Sequence, residues 1–351
     1  MGPACAKARN YGFISRFRRL SNEIRKRREP VPRWPRTVSL ACSAILLAAG
    51  LTVAAAPALA YPPRIKVFVT NTGSANATVY DTRTTQLLAD VPVQPGPVGV
   101  ALSPDGDRAY IANEQANTLS VVDANTFKVL ATVPVGSHPF GVAAGPSRVY
   151  VANYSDNTVT VVDTNTNRPV ATVPVGRFPH TPALTPDGRS LLVTANGGDS
   201  VTVIDTGSNR VTGHIPVGRF PAGIAITPRG RAYVANTGSN SVSVINPLTG
   251  LVVATVPVGT APIGVTSTGN GTVYVSNSGS DTVSQLQGSG VTATIPVGDQ
   301  PEGLGAAPDN SFLYVADTGA NAMSVIDIGS NAVTATVPVG AQPEGVAVSP
   351  G

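Results

Sequence analysis

From residue 66 to residue 348 the chain is written in short runs in which valine alternates with threonine or serine, each closed by Asn, Asp, Gly or Pro. Residues 139–176 show the pattern in full. Pro139-Phe140-Gly141-Val142-Ala143-Ala144, Arg148 to Asn153, Thr158 to Asp163 and Val170 to Val175 are four β-rich runs with polar turn residues between them. Runs of about six residues with period-two alternation and turn punctuation predict strands, and no helical period competes with them.

The four-strand unit repeats. Its last run ends in a phrase written most often as Val-Pro-Val-Gly, whose final position falls at Gln94, Gly136, Gly176, Gly218, Gly259, Gly298 and Gly340. Spacings of 39 to 42 residues are those of blade-length repeats, so the expected fold is all-β, a seven-bladed β-propeller of four-stranded blades. Proline in every fourth run (Pro92, Pro134, Pro174, Pro216, Pro257, Pro296, Pro338) removes a ladder donor and places that strand at an outer edge. First runs such as Pro221-Ala222-Gly223-Ile224-Ala225-Ile226 are rich in small residues, as a crowded axis requires.

The ends predict closure. The first unit starts at its second strand, Lys66 to Asn71, whereas the last segment, Pro343 to Val348, is a first strand with nothing after it. Together they make one blade, so the ring is expected to close by pairing N-terminal strands with the C-terminal one.

Residues 1–36 hold eleven Lys and Arg against Glu23 and Glu29, and the apolar stretch Val38 to Leu59 leads to Ala58-Leu59-Ala60. This order reads as a secretory signal cleaved after Ala60, or as an uncleaved membrane anchor, since about 20 apolar residues span a bilayer. The expected division is therefore 1–60 as basic region plus signal or anchor, and 61–351 as propeller, exported to the periplasm, the cell surface or the medium. Without residues 1–36 the chain keeps 13 basic and 18 acidic side chains, a net charge of −5. A nucleic-acid partner loses its electrostatic basis. Cys5 and Cys42 are the only cysteines and both lie before residue 61; about 290 residues bury a sufficient core without disulfides.

Ala-Tyr-Ile-Ala-Asn (109–113), Val-Tyr-Val-Ala-Asn (149–153), Ala-Tyr-Val-Ala-Asn (232–236), Val-Tyr-Val-Ser-Asn (273–277) and Leu-Tyr-Val-Ala-Asp (313–317) resemble the Tyr-Val-Thr-Asn (YVTN) β-propeller repeat family. Ser103-Pro104-Asp105-Gly106, Thr185-Pro186-Asp187-Gly188 and the third-strand aspartates Asp123, Asp163, Asp205 and Asp327 accompany them. The resemblance implies an exported propeller and leaves its reaction open. In blade six, Thr268-Gly269-Asn270-Gly271 departs from the Pro-Asp-Gly pattern and puts that turn's geometry in question. The recurring Asn71, Asn113, Asn153, Asn196, Asn236 and Asn277 read as turn-makers that bond their own backbone and accept left-handed geometry, and the aspartates likewise.

A position repeated in every blade serves the architecture, so function belongs where the repeats differ. The connectors from each fourth strand to the next first strand vary most, and all emerge beside the channel on one face. Blades three to five offer His138, Phe140, Arg177, Phe178, His180, Arg219 and Phe220, whereas blades seven and one offer Asp299, Glu302 and Glu344. These ten form the candidate ligand-binding rim. Glu302 and Glu344 come from neighbouring blades and are expected to approach, raising a carboxyl pKa or binding Ca²⁺; no other cofactor is expected.

No Gly-x-Ser-x-Gly, His-Glu-x-x-His, Gly-x-Gly-x-x-Gly or haem-attachment motif occurs, and no cysteine nucleophile lies in the propeller. The expected function is thus an exported monomeric binding protein of the envelope or medium without catalysis, taking a small ligand, a glycan or a protein partner. It touches membrane only through residues 38–59 if these are retained. Two alternatives stand beside it: a lyase- or lactonase-type enzyme using His138, His180 and rim carboxylates, and a structural surface scaffold.

Overall fold

The computed structural model describes residues 65–350; the leader read at residues 1–60 lies outside them. Twenty-eight strands form seven four-stranded antiparallel sheets. Six sheets are continuous in the chain, at residues 97–134, 139–174, 179–216, 221–257, 262–296 and 301–338, which we number blades two to seven. Blade one joins Pro343–Val348 to the strands Lys66–Asn71, Asn76–Asp81 and Leu87–Pro92. Val67, Phe68 and Val69 pair with Val348, Ala347 and Val346, so the two ends of the described chain close the ring. Ser349 fastens this seam: its backbone N–H donates to the Lys66 carbonyl at 2.8 Å, and its hydroxyl accepts the Lys66 N–H at 2.9 Å.

The apolar core lies between the blades. Tyr110, Leu119 and Val121 of blade two pack with Val142, Val149 and Val151 of blade three. Each of the other six junctions repeats the arrangement, including that between blades seven and one. Burying each such Val or Leu contributes roughly 1.5–3 kcal/mol, so no blade is stable without its neighbours. In the outer strands only the residue before the proline is buried, as at Val133, Val173 and Val256, and the rest of the strand faces solvent.

Small residues at the axis have a specific cause. A methyl group on Gly141, Gly264 or Gly303 would run into the backbone carbonyl oxygen of His180, Glu302 or Glu344, respectively, in the next blade. Adjacent inner strands therefore touch backbone to backbone.

Two local expectations change. The recurring asparagines of the second strands are extended, with φ near −105° at Asn113 and −100° at Asn236, and they do not bond their own turns. Instead, Asn153 Nδ2 donates to the Thr158 and Thr160 hydroxyls at 2.9 and 2.8 Å, and its Oδ1 accepts the Gly136 N–H at 3.1 Å. It ties second strand, third strand and the Val-Pro-Val-Gly phrase together. Nor is Asn196 the equivalent residue in blade four: Ala195 ends that strand, Asn196 begins a short 3-10 turn, and the Gly176 N–H turns to the Thr202 hydroxyl at 3.2 Å. The third-strand aspartates do make turns, as where Asp163 Oδ1 accepts the N–H groups of Asn165 and Thr166. In blade six, Gly271 takes φ +90° and donates to the Thr268 carbonyl at 3.0 Å, the same closure that Gly106 makes with Ser103. That turn is preserved.

Candidate functional site

Each inner strand opens with a proline, and the next residue reaches the channel. That position reads Val98, Phe140, His180, Ala222, Ile263, Glu302 and Glu344 around the ring. All but Ala222 line a cavity of about 150 Å³ on the axis. One side of its wall is aromatic and the facing side carries two carboxyl groups from adjacent blades.

Of the ten candidate rim residues, the fold brings four together here: Phe140, His180, Glu302 and Glu344. The other six lie in the connectors, outside the cavity wall. Phe178 lies on Gly197 and Phe220 on Gly238, each covering the neighbouring turn. Arg219 donates from Nη2 to the Gly238 carbonyl at 2.8 Å, and the Arg177 guanidinium sits 5.5 Å from the centre of the Phe178 ring. His138 Nδ1 is 3.0 Å from the Ser155 hydroxyl, and Asp299 abuts Gly319. These side chains brace connectors against turns.

Glu302 and Glu344 are partly buried in the cavity wall. Loss of water around it drives the Glu302 carboxyl up to about 7. Burial, then the Glu302 charge, drives Glu344 up to about 8, with the neighbouring Thr72 side chain drawing it down in part. The two interact, so they titrate as a pair that gives up its protons in two steps. Both carboxyls thus keep protons to higher pH than free carboxylates do, which is the condition for one such group to act as a base beside another acting as an acid. A Ca²⁺ ion takes six to eight oxygen ligands. Among the described residues no three His, Cys, Asp or Glu side chains gather in metal-holding geometry.

Across the channel, burial depresses the His180 imidazole to about 4. Its Nδ1 is 2.9 Å from the Thr181 hydroxyl, and its ring lies 4.1 Å from that of Phe140 at 43°. At neutral pH it is an uncharged polar ring on an apolar wall.

Three contributors escape a reading of the connectors alone. Tyr154 stacks on Phe178 at 5.0 Å and 13° and meets Phe140 at 6.4 Å, carrying the aromatic wall out to the rim. Thr72 lies beside Glu344, and Glu114, raised by burial and drawn down by His138, adds its charge to the surroundings of Glu344. All three occupy the first residue after the second strand. Thr72, Thr237 and Thr318 donate there to the carbonyls of Pro97, Pro262 and Pro343 in the next blade, and Glu114 and Tyr154 break that rule. Applied to these turns, the same criterion of variation finds them.

Residues 100–350 match the family described as lactonase, 7-bladed beta-propeller. The chain belongs to that family. No curated protein matches the sequence. Among solved structures it is similar to a Kuenenia stuttgartiensis hydrazine synthase chain (TM-score 0.68, 24% identity, 74% of this chain and 91% of that one). It is also similar to a functionally unknown protein of Desulfotomaculum acetoxidans (0.73, 17%, 82% and 99%) and to a 6-phosphogluconolactonase candidate of Bacteroides fragilis (0.71, 18%, 82% and 98%). At these identities the structural likeness speaks for the fold. The family match, with such lactonase-titled neighbours beside it, corrects the expectation of binding without catalysis. Carboxyls brought together from two distant stretches of sequence leave no motif to read.

Proposed function

We propose that this member of the lactonase propeller family hydrolyses a lactone in its axial channel, with Glu302 and Glu344 as the acid–base pair. The observation that carries the reading is that two carboxyl groups from adjacent blades share one cavity, where burial raises both above the usual carboxylate range. The ionised member takes a proton from water, whose oxygen attacks the lactone carbonyl. As the ring C–O bond breaks, the protonated member gives its proton to the departing alkoxide. The product is the open hydroxy acid, and the pair regains its starting charge with its proton moved from one carboxyl to the other.

The test is lactone hydrolysis, followed by pH-stat, in the full chain and in Glu302→Gln and Glu344→Gln. Positioned acid–base catalysis contributes about 10²–10⁴-fold, so each variant is expected to lose at least a hundredfold in kcat while melting no lower than the parent. Hydrolysis unaffected by both substitutions would overturn the assignment.

Two further readings accompany it. We place the chain among the YVTN-type repeats within its family, supported by Asn153, Asn236 and their equivalents, whose shared bonds explain why the motif ends in Asn. Export is supported by the basic and apolar order of residues 1–60, and N-terminal sequencing of the protein from fractionated cells tests it.

A further inference from the structure

We infer that the channel selects an uncharged lactone with an apolar body and rejects phosphorylated sugar lactones. This rests on the lactone-hydrolase reading and narrows it.

A phosphate is recognised by fixed cations and bidentate donors, above all Arg. Among the described residues lining the cavity there is no Lys or Arg; the charged groups there are the Glu302 and Glu344 carboxyls. A phosphate dianion entering this space would meet like charge at short range in a region poor in water, where repulsion is strongest. The cations nearest in sequence do not compensate. Arg219 is committed to the Gly238 carbonyl and Arg177 lies over Phe178, both in connectors outside the wall. His180 does reach the cavity, but its burial among aromatic and backbone groups keeps it neutral.

Most of the remaining side chains of the wall are apolar, with His180, Thr181 and the backbone of several glycines between them. Val100, Phe140, Val142, Ile263, Leu304 and Val346 surround the space the substrate must fill. A polyhydroxylated ring there would have more hydroxyls than the few polar groups of this wall can pair, at a cost for every one left unpaired. An alkyl or aryl substituent loses nothing by the same transfer. Size agrees: about 150 Å³ is well below the roughly 300–1,000 Å³ of pockets for drug-sized ligands, and suits a single ring with a short tail. The ester end of such a molecule would face the carboxyl pair and its tail the Phe140 side.

The experiment compares δ-octalactone, δ-gluconolactone and 6-phospho-δ-gluconolactone as substrates of the full chain at pH 7, each corrected for spontaneous opening. Calorimetric binding of 6-propylpiperidin-2-one, the lactam that cannot be opened, is set against that of 6-phosphogluconate. The expected result is a kcat/KM for δ-octalactone at least a hundredfold above that of the phosphorylated lactone, and at least tenfold tighter binding of the lactam. In the Glu302→Gln/Glu344→Gln double variant, 6-phosphogluconate should gain at least tenfold in affinity while the lactam changes little. Preference for the phosphorylated compounds in turnover and binding would overturn this inference and leave the hydrolase reading standing. Lactam binding without turnover of any lactone would overturn the hydrolase reading and leave the selectivity standing. Neither binding nor turnover would overturn both.

Discussion

Asn157, in the turn between the second and third strands of blade three, and Phe178, in the connector to blade four, are joined: the Asn157 side-chain oxygen accepts the Phe178 backbone N–H at 2.8 Å, and both residues are left-handed, with φ of 56° and 53°. The pairing recurs between Asn117 and His138, Asp199 and Phe220, Asn240 and Ala261, Asp281 and Gln300, and Asn321 and Gln342. A left-handed residue with a side chain costs roughly 1–2 kcal/mol, and this bond offsets it. The connector residues that first suggest a ligand rim thus owe their backbone shape to the joint between blades.

Asn157→Ala should therefore lower stability by about 1–2 kcal/mol, the cost of leaving that N–H without its partner, while Asn157→Asp should be tolerated because Asp199 and Asp281 already serve the same role. Urea midpoints with an unchanged m-value check this. Equal stability of the alanine variant would mean that water replaces the bond.

Asp317 stands where other blades carry Asn. Its Oδ2 accepts the Ser324 hydroxyl at 2.6 Å, its Oδ1 is buried without a hydrogen-bond partner, and burial lifts the carboxyl to about 6. A raised carboxyl makes the folded state bind more protons than the unfolded one, so its stability is full below the unfolded value near 4 and falls as pH rises through about 6. Asp317→Asn should remove that loss. The variant is expected to gain roughly 1–3 kcal/mol over the parent at pH 8 and little at pH 4, read from paired melts at the two pH values.

The repeat made the ring legible before any coordinates: the blade count, the outer prolines and the shared first blade all follow from which runs carry valine, proline and glycine. The site was legible only in part. Variation among connectors led to Phe140, His180, Glu302 and Glu344, but it led equally to Arg177, Phe178, Arg219 and Phe220. Sequence gives the order of residues along a connector, not the side of the strand to which each points. The residue after the proline faces the axis, whereas the two before it face the neighbouring turn. The cavity itself is illegible in the sequence for a related reason, since Glu302 and Glu344 are 42 residues apart and share it only once the ring is closed.

Closure itself is open to measurement at Gly303. Its Cα faces the Glu344 carbonyl oxygen across the seam between blades seven and one, with no room for a methyl group. Gly303→Ala must push the two inner strands apart, and overpacking of this kind costs about 1–3 kcal/mol or more. Gly188, with nothing within reach of an added methyl but φ +67°, provides the comparison, because Gly188→Ala pays only for backbone strain of roughly 1–2 kcal/mol. The expected order of melting temperatures is parent, then Gly188→Ala, then Gly303→Ala. The last should also lose channel activity, since the displaced backbone is that of Glu344; a Gly303→Ala protein with parental melt and turnover would deny the backbone contact at the axis.

The channel also sets how stability responds to pH, with two opposing contributions. Glu302 and Glu344 are raised, so their part is greatest below the unfolded value near 4.5 and is lost as pH climbs through about 7 to 8. His180 is depressed to about 4, so its part is present above the unfolded value near 6.5 and is lost as pH falls towards 4. Between pH 5 and 6 the two slopes oppose each other, and above pH 7 only the carboxyl pair acts. Glu302→Gln/Glu344→Gln should therefore match the parent near pH 5 and exceed it at pH 9 by roughly 2–4 kcal/mol. His180→Phe should instead flatten the acid limb and leave the alkaline limb as it was. Urea midpoints at pH 4.5, 6, 7.5 and 9 separate the effects, and a double glutamine variant that tracks the parent at pH 9 would mean that water enters the channel freely enough to leave both carboxylates ionised at no cost.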